Sequence, residues 1–461
     1  MKNIILIAKN IEVEINERRK EIVDAIINSK QYRIVLLVVN AHTNKKLYEG
    51  IDGIDNVVST YELECMESMT GLNYQDIKSH KEMQLYVENY YCRRENDYQL
   101  NKYYYYAGLS FWLSFFDNHD VDFVISTTRK HGFIWDICCD IADKRGIMSF
   151  YIEPGGYNDM WLFSHNGVPQ PSYVGKTDSI KYFMDSQYDK TKFPIKKSNK
   201  NLCRRVLYAI GGNLLEDFFV RLIRWDWSPM PVWRNRYKAS WLDKFMGNYH
   251  LRNIEKYVKK ISKKDTSLLT ENYVFYALHF EPEATTQVRT VLESQLVVIK
   301  LLSEAVPAGW KIFVKEHPAQ FRHNNDEGYG FMIEVPRFKN KKFYDKLLEM
   351  SNVEIFDWHI SSSEMIKHSR AVASIVGTVC WEGMLEKKPV LMFSDTDPLA
   401  YASDIFNIHS YAECKCALNI ISEGFIPKYN DVVNIVNKYY FEGEYMAENI
   451  LELLKKKCPD S

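Results

Sequence analysis

The sequence predicts an α/β protein with two doubly wound domains and a helical, basic segment between them. Three observations predict it. Short continuous apolar runs alternate with amphipathic stretches over residues 1–165. The same alternation restarts near Tyr273 and continues to about residue 430. Between them, the stretch Lys190 to Lys264 carries nineteen Lys and Arg against five Asp and Glu, in a chain whose net charge is −1. Apolar runs of four to eight residues are what parallel strands covered on both faces require, and strand–helix–strand order builds a parallel sheet.

In the first domain, Ile4–Ala8 and Ile34–Val39 read as buried strands. Residues 66–116 read as long helices rich in Tyr, including Tyr103 to Tyr106. Val121–Ser126 is a strand, Thr127–Gly132 a loop and Phe133–Lys144 a helix closed by Gly146. Met148–Glu153 is the next strand, stopped by Pro154-Gly155-Gly156. Residues 166–265 form the basic segment. Trp225, Trp227, Trp233 and Trp241 fall within it, its pattern is helical, and Pro229 and Pro231 break it.

The second domain, 266–430, begins with the strand Tyr273–Leu278. Next come a helix over Thr286–Glu304, a strand at Lys311–Val314, a helix at Lys341–Met350 and a strand at Val353–Phe356. Ser362–His368 is a short helix, Ala371–Val376 a strand, Val379–Glu386 a helix and Pro389–Phe393 a strand. The tail, 431–461, is helical.

Composition narrows the function. The chain has 461 residues, 46% of them hydrophobic, enough for two or three globular domains. Near-zero net charge gives no bulk attraction to nucleic acid, and no nucleic-acid partner is expected. The nine cysteines lack a C-x-x-C pair and predict reduced thiols in a cytoplasmic protein. The first apolar run is too short for a signal peptide, and no run approaches the ~20 residues that span a bilayer.

Two segments carry chemistry. In Ser374-Ile-Val-Gly377-Thr378 an apolar strand enters a Gly turn and a helix. Free N–H groups at such a helix start form an anion site, and glycine allows close approach of a phosphate. Ser374 and Thr378 add hydroxyls, and Glu382 follows one helical turn later, where a carboxylate suits ribose hydroxyls. In Lys311–Pro318 a strand ends in His317-Pro318. A His at that edge donates to a phosphate ester and stabilises charge on a departing nucleotide, and Lys315 adds positive charge.

Lys-x-His-Pro, followed by Ser-x-x-Gly-x-x-x-x-Glu and then Lys387-Lys388-Pro389-Val390, resembles bacterial capsule-polysaccharide glycosyltransferases. That group includes transferases of Kdo and sialic-acid-like sugars from CMP donors. The resemblance is clearest over Tyr273 to Phe393, and it departs at Trp381-Glu382-Gly383-Met384, where many relatives have smaller residues. It implies a GT-B fold, with two Rossmann-like domains facing a cleft, the nucleotide-sugar donor in the C-terminal one and the acceptor in the N-terminal one. It puts the donor site on His317, Pro318, Ser374, Gly377, Thr378 and Glu382. Leu278–Thr286 is also similar to a segment of such proteins and adds His279, Glu281 and Glu283 as expected donor contacts.

Inverting transfer needs a general base from the opposite domain. Glu153 is favoured, because it ends a strand before a Gly-rich loop; His131 and Asp159 are the other candidates, with Arg129 as an anion contact. Asp395-Thr-Asp397 is spelt like a D-x-D metal motif but reads as a loop, and neither metal nor cofactor is expected. The basic, Trp-rich segment reads either as packing between domains or as a peripheral contact with anionic lipid at the inner face of the plasma membrane. The expected partners are a nucleotide-sugar donor and a glycan or lipid-linked acceptor. A UDP-sugar transferase, a polyol-phosphate polymerase, a sugar-nucleotide epimerase and a non-catalytic scaffold of capsule assembly remain open.

Overall fold

A computed structural model describes residues 1–8, 16–40, 45–91, 98–128, 130–155, 160–175, 241–281, 286, 290–318, 320–321 and 338–457, without the side chains of 16–19 and 241–248. Most of the basic, Trp-rich segment, together with Arg129, Asp159 and Glu283, lies outside the described residues.

The strands are β1 (Lys2–Ala8), β2 (Tyr32–Val39), β3 (Val57–Ser59), β4 (Phe123–Ser126), β5 (Met148–Pro154), β6 (Met160–His165), β7 (Val168–Gln170), β8 (Tyr273–Ala277), β9 (Lys311–Lys315), β10 (Val353–Phe356), β11 (Ala371–Ser374), β12 (Val390–Met392), β13 (Ile405–Asn407) and β14 (Tyr440–Glu442). They form two sheets, as the alternation of apolar runs predicts. One is ordered β14-β6-β5-β4-β1-β2-β3, with β7 also on β6. Its strands from β3 to β5 are parallel, and β6, β7 and β14 are antiparallel additions. The other, β10-β9-β8-β11-β12-β13, is parallel throughout.

The strand sequences explain the layering. In β1, Ile5 and Ile7 enter one apolar cluster and Ile4, Leu6 and Ala8 another, all fully buried. In β8, Val274 and Tyr276 face one layer, while Tyr273 and Phe275 face the other. A strand buried on both faces has no polar alternation, and each such Ile or Leu contributes roughly 1.5–3 kcal/mol through removal from water.

Some boundaries differ from the sequence reading. The helix expected over Thr286–Glu304 is not continuous: Thr286 is helical, residues 290–294 are not, and the helix Gln295–Ala305 starts where the Ser294 hydroxyl caps it by accepting from Val297 N–H at 3.4 Å. The helix expected at Phe133 begins at Asp136, whose carboxylate instead accepts the His131 and Phe133 N–H groups at 2.9 Å each. The helix Trp241–Ile261, expected in the linker, buries Leu251, Ile254 and Val258 in the C-terminal core.

The tail is not one helix. Helix Val432–Tyr439 gives way to β14, which pairs with β6, and then to helix Met446–Lys457. That last helix puts Ile450, Leu453 and Leu454 into the N-terminal core with Ile22, Val23 and Ile26. The C-terminus therefore returns to the first domain. Asn449, fully buried, accepts from the Tyr173 and Val174 N–H groups at 2.8 and 3.0 Å and fastens this return.

The halves also meet directly. Leu162 and Tyr440 of the first sheet share a cluster with Cys380, Trp381 and Met384 of the second domain. Trp381 is an interdomain packing residue: its ring lies 6.2 Å from that of Tyr440, and its indole N–H donates to Asp397 at 3.1 Å. This accounts for a bulky residue at the position where the resemblance departs.

Candidate functional site

Read in chain order from β8, the second sheet has the order 3-2-1-4-5-6. The chain reverses direction between β8 and β11, and open parallel sheets bind ligands at the carboxyl ends of the strands at such a switch point. The segment after β8 carries His279 and the segment after β11 carries Gly377. The fold brings them together.

Ser374, fully buried at the end of β11, donates its hydroxyl to the Val376 carbonyl at 3.1 Å. Its oxygen lies 3.1 Å from His279 Nε2. One hydroxyl has one proton, so Nε2 carries the hydrogen in this contact and Nδ1 keeps its lone pair. Burial, then the charges of Lys339 and His317, push the His279 pKa down to about 3. The ring is thus a neutral imidazole at physiological pH.

Gly377 has φ 116° and ψ 178°, a region essentially reserved for glycine. A Cβ there would sit 3.5 Å from His279 Cε1. Gly377 starts the helix Thr378–Leu385, whose N-terminus has no side-chain cap. The helix start is therefore a set of backbone donors with the positive end of the dipole behind them. Gly383 lets this helix lie close on the sheet, because a Cβ there would come within 3.0 Å of Val372. Thr378 is exposed at the helix start.

Lys315 pairs with Ala277 across β9 and β8, and Ser374 follows the Ala373–Tyr276 pair. Alternation puts Lys315, Ala277 and Ser374 in one row on one face. The Lys315 ammonium donates to the Ile360 carbonyl at 2.9 Å and to the Ser362 hydroxyl at 2.5 Å. Burial pulls its pKa down to about 8, against the charge of Glu382, which raises it. Glu382 is half-buried, and its charge acts on this same row. His317 is exposed beyond β9, its ring 6.2 Å from Phe280, and Pro318 starts a turn closed by Gln320 N–H on the His317 carbonyl at 2.9 Å.

Glu281 is largely buried at the groove wall. It accepts from Thr286 and from Gln295, each at 2.9 Å. It belongs to a polar network that the sequence reading missed. Gln295 accepts the His279 N–H at 2.6 Å, and Gln320 accepts the Glu281 N–H at 2.9 Å and donates to the Glu281 carbonyl at 2.9 Å. Lys339 and Glu316, both at 0% side-chain exposure, form an ion pair at 2.7 Å. Glu316 also accepts from Tyr344 at 2.6 Å. One signal for Glu316 was available: it is in phase with Ile312 and Val314, so an acid at that position demands a buried partner.

The N-terminal candidates are less concentrated. Glu153 is 2% exposed, and Ser164 donates to its carboxylate. It lies opposite Leu162, on the sheet face that meets the second domain. It precedes the strand's last residue, and β5 pairs antiparallel with β6, with Gly155 N–H on the Met160 carbonyl at 2.7 Å. The carboxylate expected to be the base is therefore covered.

His131 is half-exposed after β4, its ring 5.2 Å from Phe133, which packs edge-on at 4.4 Å on Tyr90. Tyr90 belongs to the helix Lys81–Tyr91. Asn89 of that helix lines a groove of about 600 Å³ with Glu281, Gln295, Phe338 and Lys342 of the second domain. Asp395 and Asp397 serve the loop. Asp395 accepts from His409 at 2.9 Å and from Asn407, and Asp397 accepts the Leu399 N–H at 3.0 Å as well as the Trp381 indole.

No family model and no curated protein matches the sequence. Among solved structures, the chain is similar to the UDP-GlcNAc 2-epimerase of Methanocaldococcus jannaschii, at 11% identity over 99% of this chain and 100% of that one, with a TM-score of 0.26. It is similar to Thermosulfurimonas dismutans KpsC, described as a beta Kdo 2,7 transferase, at 11% identity over 69% and 85%, TM-score 0.27. A structure described as trehalose-6-phosphate from E. coli bound with UDP-2-fluoro glucose matches at 10% identity over 99% of both chains, TM-score 0.32. These likenesses identify no residue of the site.

Proposed function

We propose that the chain is an inverting glycosyltransferase that takes a sugar from a nucleotide donor and passes it to a glycan or lipid-linked acceptor in capsule or surface-polysaccharide synthesis. The observation that carries the reading is the Gly377 turn at the switch point: an uncapped helix start with Ser374 and neutral His279 against it. In this reading the phosphate of the leaving nucleotide rests on the N–H groups after Gly377, Thr378 adds a hydroxyl, and His317 supplies a further donor from the neighbouring strand end. The acceptor hydroxyl attacks the anomeric carbon, the bond to phosphate breaks, and its electron pair leaves on the phosphate oxygen. Backbone donors carry that charge, so the reaction is proposed to run without a metal.

The base is proposed to come from the N-terminal strand-end loops. His131 is more exposed than Glu153, and its neighbour Phe133 packs on the helix whose Asn89 lines the groove; Glu153 and Asp159 are the other two candidates. The resemblance of the Lys-x-His-Pro and Ser-x-x-Gly segments supports a CMP-linked ulosonic acid, such as Kdo or a sialic-acid-like sugar, as donor. No helix among the described residues is long and apolar enough to cross a membrane. We place the enzyme in the cytoplasm, with the 190–264 segment held to anionic lipid by charge. Flotation with anionic vesicles at low and high salt tests this, and binding that ignores salt, or no binding, refutes it.

A thermal-shift panel of CMP, CDP, UDP and GDP tests the donor site. Selective stabilisation by CMP supports the ulosonic-acid donor, selective stabilisation by UDP moves the assignment to a UDP sugar, and no response to any nucleotide refutes the reading. Turnover of a nucleotide sugar without acceptor would identify an epimerase instead. His131→Gln and Glu153→Gln identify the base, as the variant that loses turnover, on the order of a hundredfold or more, while keeping the nucleotide response.

A further inference from the structure

Lys339 lies outside every motif the sequence offers, yet its ammonium is wholly buried beneath the candidate donor site. It has three acceptors from the ends of two neighbouring strands: the His279 carbonyl at 2.5 Å, Glu316 at 2.7 Å and Gln320 at 3.3 Å. Glu316 in turn accepts the His317 N–H at 2.8 Å and the Tyr344 hydroxyl at 2.6 Å. The ladder of β8 ends where Leu278 N–H meets the Lys315 carbonyl at 2.9 Å. Beyond that point Gln295 and Gln320 hold the backbone of His279 and Glu281 as a neighbouring strand would.

A buried ion pair is weak evidence for stability, since a well-packed apolar group of equal volume often serves as well or better. Here the contacts run to the backbone of the two segments that carry His279 and His317, rather than across the apolar core. We propose that the Lys339–Glu316 pair is a positioning device, with Lys339 holding the His279 segment in register with the Gly377 turn so that the imidazole meets Ser374. This rests on the donor-site reading for its functional consequence but not for its geometry. The groups facing the ring are Ser374 at the end of β11 and Gly377 in the turn after it, His317 beyond β9, Lys339 from the segment before helix Lys341–Leu348, and the Gln295 amide on its backbone.

The test is Lys339→Met/Glu316→Gln, which removes both charges together, with Tyr344→Phe as a milder variant that deletes one bond to Glu316. Histidine-selective ¹⁵N NMR, assigned with His279→Gln, reads the His279 tautomer without any ligand. In wild type a single Nε2–H form is expected. In the double variant that form gives way to tautomer exchange, and any nucleotide-induced rise in Tm seen in wild type is lost. Tyr344→Phe, which keeps the ion pair, shifts both readouts in the same direction and less, and it decides the matter if the double variant does not fold. An unchanged His279 spectrum in a folded double variant, or in Tyr344→Phe where the double variant fails to fold, overturns the proposal. Failure of wild type to respond to nucleotide refutes the donor-site reading alone, because the NMR signature needs no nucleotide.

Discussion

The two sheets run the same order through their parallel strands, 3-2-1-4-5 from each domain's first strand, so each has a switch point between its first and fourth strands. They furnish it differently. In the N-terminal sheet the end of β4 holds neutral hydroxyls: Ser126 and Thr128 lie 3.2 Å apart, and Thr127 donates to the Ile7 carbonyl at 3.2 Å. In the C-terminal sheet the same place holds a glycine at φ 116°, a neutral histidine and a buried ion pair. A shared fold thus supplies two edges, and among the described residues only the second has costly groups of the kind the proposed charged-ligand site would need. An acceptor hydroxyl, proposed above for the first edge, would need less, since it brings no charge.

Breaking the buried pair has the largest expected effect. Lys339→Met leaves the Glu316 carboxylate in a fully buried site and should cost about 3–5 kcal/mol in urea unfolding. A cost below about 1 kcal/mol would mean that the C-terminal edge is no more committed than the N-terminal one. Gly377→Ala comes next. The strained backbone should cost about 1–3 kcal/mol, and relief of that strain would turn the N–H groups at the helix start, so any nucleotide-induced shift in Tm should vanish with it. Gly146 is the control: its φ is also positive, at 73°, but nothing lies within 4 Å of a Cβ there. Gly146→Ala should cost about 1 kcal/mol and leave the nucleotide response unchanged.

The layers were legible because parallel strands are short apolar runs, and all of them but the three-residue edge strands Val57–Ser59 and Ile405–Asn407 were read as such from the sequence. The return of the C-terminus was not. Tyr440–Glu442 is three residues long, and its pairing with β6 is set by tertiary contact rather than by local pattern. Of the site, Ser374, Gly377 and His279 were legible because a strand, a turn and a helix in succession fix where their backbones go. Glu316 stood within the motif but was passed over beside His317. Lys339 had no local signal, since its partner is 23 residues away and nothing in its own segment demands burial. Glu153 was placed at a strand end, and β5 does end one residue later; the antiparallel partner β6, against which its carboxylate is buried, had no signal in the sequence.

The neutral His279 predicts a pH effect confined to the C-terminal edge. In the unfolded chain a histidine takes a proton as pH falls through about 6.5, whereas in the fold His279 does so only near 3. The unfolded state therefore binds more protons across that window, and stability falls as the medium is acidified from 6.5 toward 3. Above 6.5 the residue contributes no slope. His279→Gln should remove on the order of 1–2 kcal/mol of the loss measured between pH 7 and pH 5. An identical acid slope in wild type and variant would show that His279 ionises normally and that the edge is more open to water than its packing indicates.

The smallest effect should come from the N-terminal edge. Ser126→Ala with Thr128→Val removes both hydroxyls of one buried contact and leaves neither partner unsatisfied by the other, so the cost should stay within about 1 kcal/mol. The nucleotide response should be unchanged, because no charge and no strained backbone is touched. If the first domain takes the acceptor, the change should raise KM for acceptor while leaving KM for donor as it was. A donor-side defect from this pair would contradict the division of labour, since it would require the two switch points to share one ligand despite their different furnishing.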